Sequence, residues 1–469
     1  MFVAQAVSVV AGGTVSIYAV RQFSTVAWGQ YSTALALIAI FTVVAGPGIS
    51  TLALREMSDS SDSESLSRVF STASTSIIAS ACIAVALLFL SFATLGYSRE
   101  VLIVGAIASP LLFLDPVLAL VQAAFNARQL LMYVAWFQVA RALAYCTFGI
   151  VIVANGVGPA GLAAVTVSAT LFGLVVALSL FHTRLHARVR VSLQLRTAMR
   201  FLGVALPIAG IGVVGIVYDR LDIIMLSRLG TSEDVARYTV PYNLVQLTWI
   251  IPSVVSAAFY PLLSRALKDN VVEARRLFLL IVRGFLFLSV PISLALALSG
   301  PVLVPFVFGS RYAPSASVLA ILVWTSVLGF QNYILWYAVL AIHKERTVLW
   351  IQLAGLVVNA ATNVLLIPRF GPKGAAASLI VSDLVVVVGQ AVLIHRHLFA
   401  LPIRRIATVP VVAGAIVIPI AYLTASHSPL AGAAVAAVGY VTLLLLARYI
   451  TPEEWQPLLR PARRLLTRG

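Results

Sequence analysis

Apolar runs of 18 or more residues recur from one end of this 469-residue chain to the other, and nothing else in the sequence restricts its fold as strongly. Wound as a helix rising about 1.5 Å per residue, such a run crosses a hydrocarbon core of roughly 30 Å with its backbone hydrogen bonds satisfied internally. With 61% hydrophobic and only 10% charged residues, and a mean hydropathy of +1.02, a soluble domain could not hide this much apolar surface. The pattern predicts an all-α, polytopic membrane protein of about fourteen transmembrane helices. They are expected over 2–23, 30–53, 69–94, 101–124, 131–154, 159–181, 201–226, 237–263, 278–304, 314–341, 347–367, 373–394, 406–424 and 429–449. No basic stretch or small-residue cleavage site precedes the first run, so it reads as a retained helix rather than a secretory leader. Cys82 and Cys146 both fall inside predicted helices, where two thiols form neither a disulfide framework nor a metal site.

The formal net charge of +16 invites a nucleic-acid partner, but the 32 Lys and Arg are spread over short loops rather than gathered on one face. Topology explains them. With the amino terminus inside, one side of the membrane holds only Arg21, Arg99, Arg228, Arg237, Arg311, Arg369 and Lys373, Arg141 and Arg220 lie within spans, and all the others face the cytoplasm. That bias supports the number of spans and predicts cytoplasmic termini.

Three matches recur in the same order. Arg21 is followed ten residues later by Tyr31, and Arg228 by Tyr238; Trp136-Phe137-Gln138 returns as Trp350-Ile351-Gln352; Gly158-Pro159-Ala160-Gly161 returns as Gly371-Pro372-Lys373-Gly374. Six helices separate the copies, and an even number preserves orientation, so the repeat is parallel. The expected organisation is a lobe over 1–181 (helices one to six), a basic cytoplasmic linker over 182–200, a second lobe over 201–399 (helices seven to twelve), two further helices within 400–450, and an amphipathic tail over 451–469 lying on the inner leaflet.

These residues carry a family resemblance. Ala19-Val20-Arg21-Gln22-Phe23 through Trp28-Gly29-Gln30-Tyr31-Ser32 resembles the signature at the first outer turn of prokaryotic polysaccharide-export flippases. Asp219-Arg220-Leu221-Asp222, with Arg237-Tyr238 beyond, is similar to their motif between helices seven and eight, and Pro261-Leu262-Leu263-Ser264-Arg265 to the end of helix eight. Their superfamily comprises multidrug, oligosaccharidyl-lipid and polysaccharide exporters. The resemblance implies two six-helix lobes around a central cavity, rocking between inward and outward openings, and a polyprenyl-diphosphate-linked oligosaccharide as substrate. It implies membrane lipids and glycan-assembly proteins as neighbours, no cofactor, and a monomer.

Six charges fall within predicted spans: Asp115, Arg141, Asp219, Arg220, Asp222 and Asp383. At roughly 2.5 to 3.5 kcal/mol each, leaving all of them in lipid would cost on the order of 15 to 20 kcal/mol, so they must meet one another or a wet cavity. Arg141 stands about 20 Å along its helix from Arg128, near the midplane. It either lines the cavity as a phosphate-binding cation or forms an interhelical pair, for instance with Asp115. Asp219 and Asp222 share a helix face by their spacing. Together with Arg220 they either brace helix seven or supply an ion-coupling carboxylate and an anion contact; Asp383 and Asp115 are further coupling candidates. Arg55 and Arg265 end corresponding helices at the cytoplasmic mouth and are either capture points for a diphosphate or ordinary positive-inside anchors; Arg21 is a further candidate for substrate contact. Helix bends are expected at Gly46-Pro47-Gly48, Pro110, Pro116, Pro207, Pro252 and Pro291.

No nucleophile, metal-ligand spacing or phosphate loop marks an enzyme. Three rival functions remain. A murein-precursor flippase, a second relative within the superfamily that the chain resembles, typically carries arginines inside its first two helices, where this chain has only Arg21 and Arg55 at their ends. A cation-coupled drug exporter of the same superfamily often has an acidic residue in helix one, and 2–23 contains none. A glycan polymerase or ligase needs a sizeable outer catalytic loop, and the predicted outer loops are short.

Overall fold

A computed structural model describes residues 2–59, 63–185 and 195–450. The expected tail, 451–469, and the middle of the expected linker, 186–194, lie outside the described residues. Among those described there is helix and no strand. The chain packs as two compact units, Met1–Ala236 and Arg237–Gly469. The first contains α1 (Phe2–Gln22), α2 (Thr25–Ala45), α3 (Ile49–Asp59), α4 (Ser63–Leu95), α5 (Arg99–Ala108), α6 (Leu111–Ala127), α7 (Leu131–Ala154), α8 (Pro159–Leu185) and α9 (Leu195–Leu229). α10 (Ser232–Thr248) starts in it and continues into the second, which holds α11 (Ile250–Asp269), α12 (Val271–Phe308), α13 (Ser315–Leu322), α14 (Trp324–Ala341), α15 (Glu345–Phe370), α16 (Pro372–His397), α17 (Ile403–Ala425) and α18 (Pro429–Leu446).

Every expected span coincides with one helix or with a broken pair. Twelve such segments among the described residues are long and apolar enough to cross a bilayer, and α1 and α9, of 21 and 35 residues, stand where the first and seventh spans are expected. Ends differ more than numbers. Helix continues through 182–185 and 195–200, both ends of the expected linker. The turn after α1 shrinks to Phe23 and Ser24, because the Ser24 hydroxyl accepts from the amide of Ala27 at 3.1 Å and starts α2 well before Tyr31. α10 starts in the same way: the Asp234 carboxylate accepts from the Thr231 amide at 3.0 Å and its hydroxyl at 2.8 Å, while the Asp234 amide donates back to that hydroxyl.

The expected bends divide into breaks and uninterrupted helix. Gly46-Pro47-Gly48 separates α2 from α3, and Pro110 separates α5 from α6; near Pro252 the chain breaks between α10 and α11. Pro116 and Pro291 lie inside continuous helices, and α9 passes Pro207 without interruption. At the first break Gly48 takes φ 62°, a left-handed turn that suits glycine, and Ser80 of α4 donates to the stranded Ala45 carbonyl at 2.6 Å.

The sequence repeat has a counterpart in packing. Within the first unit α8 contacts α5, α6 and α7, while α6 contacts α3 and α4; within the second α16 contacts α13, α14 and α15, while α14 contacts α11 and α12. The breaks recur at corresponding places, α2/α3 with α10/α11 and α5/α6 with α13/α14. The repeated Gly-Pro-x-Gly explains itself in the hairpin between α15 and α16. Gly371 takes φ 56°, Pro372 opens the helix, and a Cβ on Gly374 would run into the Leu366 carbonyl. Such backbone approach is how helices associate in lipid, where apolar burial supplies little drive.

Aromatic side chains fill the cores. In the first unit Phe70 of α4 lies 4.5 Å from Phe181 of α8, and Phe125 of α6 lies 6.3 Å from Phe137 of α7, ring centre to ring centre. Phe201 and Ala205 of α9 join this cluster, so helix seven packs within the first unit. In the second, α17 and α18 are tied to α12: Arg283 donates to the Tyr449 carbonyl at 3.1 Å, and the Tyr449 hydroxyl to the Ile406 carbonyl at 2.7 Å.

Candidate functional site

A cavity of about 440 Å³ opens inside the first unit where the α2/α3 break faces α6 and α9. Its lining combines the break itself (Gly46, Pro47 and Gly48), the polar side chains of Thr42, Ser50 and Thr51, Asp115 and Pro116 of α6, and Gly212, Val213 and Ile216 of α9. The local sequence creates the space. A Cβ on Gly46 would sit 2.9 Å from Pro116 Cβ, so the absent side chain lets α2 and α6 meet at their two proline-marked positions.

Arg141 of α7 reaches this region. Its Nη1 lies 3.5 Å from Oδ1 of Asp115, with the two side chains 42% and 35% exposed. Of the two readings that the sequence left open for Arg141, the ion pair is present, and its Asp115 half lines the cavity. The arginine stem is seated by Gly173 of α8, where a Cβ would fall 2.8 Å from Arg141 Cβ and 3.2 Å from its Cγ. Gly173 went unnoticed in the sequence, since a glycine in an apolar helix carries no mark of the arginine it accommodates. One turn along α7 from Arg141, Tyr145 lies close to Tyr31 of α2 and Thr166 of α8.

The charges of α9 separate. Asp219 is exposed and follows Ile216, a cavity-lining residue, by three positions, so it continues that face towards the helix end. Asp222 is 3% exposed. Although their spacing puts the two on one side of the helix, packing buries one and leaves the other open. Arg220 is half-buried. Arg55, exposed on α3, stands one turn beyond Thr51 of the cavity lining. Arg21, at the end of α1, and Arg265, in the last part of α11, are exposed, and Asp383 is half-buried on α16.

Three turns at one end of the first unit interlock. A Cβ on Gly29 would collide with the Ser232 carbonyl, Gln30 donates to the Ser98 hydroxyl at 3.4 Å, and the Arg228 guanidinium lies 5.1 Å from the centre of the Tyr97 ring. The two matching turns, after α1 and after α9, thus touch at Gly29 and Ser232.

In the second unit a buried polar ladder joins α15 and α16. Asn359 donates to the Ser382 hydroxyl at 3.2 Å, and Asn363 to Oδ1 of Asn359 at 2.9 Å. Nearby, Gln390 donates to Asn332 of α14 at 2.9 Å. Asn359, Asn363 and Ser382 are fully buried, and Asp383 follows Ser382 directly. The signal in the sequence is two asparagines four apart in an apolar helix, polar groups that carry no formal charge.

Solved structures share this architecture. The structure described as "Lipid II flippase MurJ, inward closed conformation" superposes with a TM-score of 0.76 at 15% identity, over 95% of this chain and 98% of that one. An inward-facing multidrug resistance MATE family transporter of the MOP superfamily superposes with a TM-score of 0.69 at 14% identity, over 82% and 93%. At such identities the likeness is one of fold. Among curated proteins none matches the chain. Twelve segments among the described residues long and apolar enough to cross a bilayer, arranged as in these solved structures, define the class by fold: a many-helix chain with the fold of membrane transporters. The family described as polysaccharide biosynthesis protein matches residues 1–267, more than half of the chain, and the chain belongs to that family.

Proposed function

We propose that this protein turns a polyprenyl-diphosphate-linked oligosaccharide from the cytoplasmic to the outer leaflet by alternating access, for assembly of a cell-surface polysaccharide. The observation that carries the reading is the part-exposed Arg141 paired with a cavity-lining Asp115, in a chain of the polysaccharide biosynthesis family. A guanidinium there gives a diphosphate a charge-assisted, bidentate partner where water is scarce. Arg55 on α3 is the cytoplasmic capture point in this reading, with Arg265 as its repeat mate; Arg220 and Arg21 are contacts nearer the outer side. The repeat lobes are 1–181 and 201–399, joined by the linker 182–200, with both termini in the cytoplasm and the protein acting as a monomer.

The driving force is either the membrane potential or an ion gradient. Two negative charges moving outward across a negative-inside membrane gain about 4.6 kcal/mol per 100 mV. Asp219, Asp222, Asp383 and Asp115 are the candidates for coupling to a proton or sodium ion.

The test is a reconstituted flipping assay with a fluorescently labelled polyprenyl-diphosphate oligosaccharide. Protein-dependent movement that falls on Arg141→Ala, in a variant that melts normally, supports the reading. No movement above protein-free vesicles would overturn it. The second reading, a cation-coupled drug exporter, has the likeness in fold to a multidrug resistance transporter in its favour. Against it stands α1, which has no acidic residue. Gradient-driven expulsion of an organic cation by vesicles that move no lipid-linked glycan would decide for the exporter.

A further inference from the structure

The ion pair beside the cavity is built to be exchanged rather than to brace. Charge-assisted hydrogen bonds run at about 2.7 to 2.9 Å between heavy atoms, whereas Arg141 and Asp115 meet at 3.5 Å. A pair that only braced two helices in lipid would be enclosed, yet both side chains are more than a third exposed. The arginine stem is pinned against Gly173, which fixes the depth of the guanidinium while leaving its head at an open face. Asp115 meanwhile lines a cavity whose other polar walls, Thr42, Ser50 and Thr51, carry no charge. A cation at membrane depth needs an anion beside it at all times. Asp115 supplies one from within the protein.

We propose that Asp115 is an internal competitor for the anionic headgroup: its carboxylate occupies Arg141 until a diphosphate takes the guanidinium, and returns to it as the diphosphate leaves. This rests on the lipid-linked-glycan reading and adds to it a threshold that any headgroup must exceed. A ligand must bind the guanidinium better than a tethered carboxylate does. A diphosphate, with its greater charge and several acceptor oxygens, meets that condition, and a monophosphate meets it less well. Once displaced, Asp115 repels the bound headgroup and so lowers its affinity, which favours release on the far side.

The experiment is titration calorimetry of the full chain in detergent with farnesyl diphosphate, farnesyl monophosphate and inorganic pyrophosphate. Asp115→Asn should bind farnesyl diphosphate about fivefold more tightly, the upper end for a part-exposed pair. It should tighten inorganic pyrophosphate equally, since the competition is for the phosphate groups rather than the lipid, and farnesyl monophosphate by no more than this, since an occupied Arg141 penalises every competing anion alike. Arg141→Gln should weaken the diphosphate ligands, and Asp115→Asn/Arg141→Gln should match it in affinity while removing the unpaired charge that could impair folding. The exchanged pair Asp115→Arg/Arg141→Asp keeps the bridge but moves the cation to α6, and should melt normally without recovering affinity. Unchanged or weaker binding by Asp115→Asn, tightening of the lipid alone, or full recovery in the exchanged pair would each overturn the proposal. If the wild-type chain binds no diphosphate lipid and flips none, the flippase reading itself falls.

Discussion

At the scale of single residues, the glycines around the site make the sharpest predictions, because each marks a place where another group occupies the space of a side chain. Gly29→Ala drives a methyl into the Ser232 carbonyl, a backbone atom with little room to yield. It should cost about 1 to 3 kcal/mol, read as a fall in melting temperature in detergent. Gly173→Ala presses instead on Arg141 Cβ, 2.8 Å away, a smaller overlap than the one at Gly29. Its melting temperature should fall less, while flipping falls further because the guanidinium is displaced; a variant flipping at the wild-type rate would show that the position of Arg141 is unimportant. Neither role was legible beforehand. Gly29 stood out as part of Trp28-Gly29-Gln30-Tyr31, but the sequence does not reveal that Ser232, about two hundred positions away, lies against it.

At the scale of elements, the breaks carry the information. Apolar runs, prolines and glycines located the α2/α3 and α5/α6 interruptions correctly, since proline removes an amide and obstructs the preceding turn. They could not tell these from Pro116 and Pro291, which continuous helix absorbs. What separates the cases is supply of partners to the freed backbone groups: Ser80 of α4 serves the Ala45 carbonyl at the first break. Ser80→Ala should therefore destabilise by about 1 to 3 kcal/mol, the cost of leaving a buried acceptor unpaired, visible as a lower melting temperature. Gly48→Ala, forced to φ 62°, should cost roughly 1 to 2 kcal/mol more than alanine substitution at the neighbouring Ser50. Equal melting of the two variants would argue against the left-handed turn.

At the scale of the whole molecule, the distribution of basic residues predicts sidedness, which intact-cell labelling can read. A cysteine at Ser98, in the turn before α5, should react with an impermeant maleimide from outside, and one at Lys344, before α15, only after permeabilisation; the reverse pattern would invert the topology. If the potential drives the step, flipping in vesicles should speed up as the inside is made more negative. An insensitive rate, in the presence and absence of proton and sodium gradients, would remove both proposed sources of drive.

Hydrophobic run length, a local property set by bilayer thickness, is enough to determine an all-helical membrane protein with spans at these positions, and the recurring Arg-to-Tyr, Trp-x-Gln and Gly-Pro-x-Gly patterns reveal its repeat. The pairing of Arg141 with Asp115 was foreseen as one of two options, because an intramembrane charge needs a partner; the sequence could not choose the option. Tertiary packing decided that this pair borders a cavity, that Gly173 seats it, that Asp222 is buried while Asp219 is exposed, and that a ladder of neutral amides runs between α15 and α16. The reason is physical. Whether a span forms depends on the sum of its own residues' transfer energies, but the surroundings of a charge within it depend on which neighbouring helices approach and where their small residues make room, and those neighbours come from distant parts of the chain.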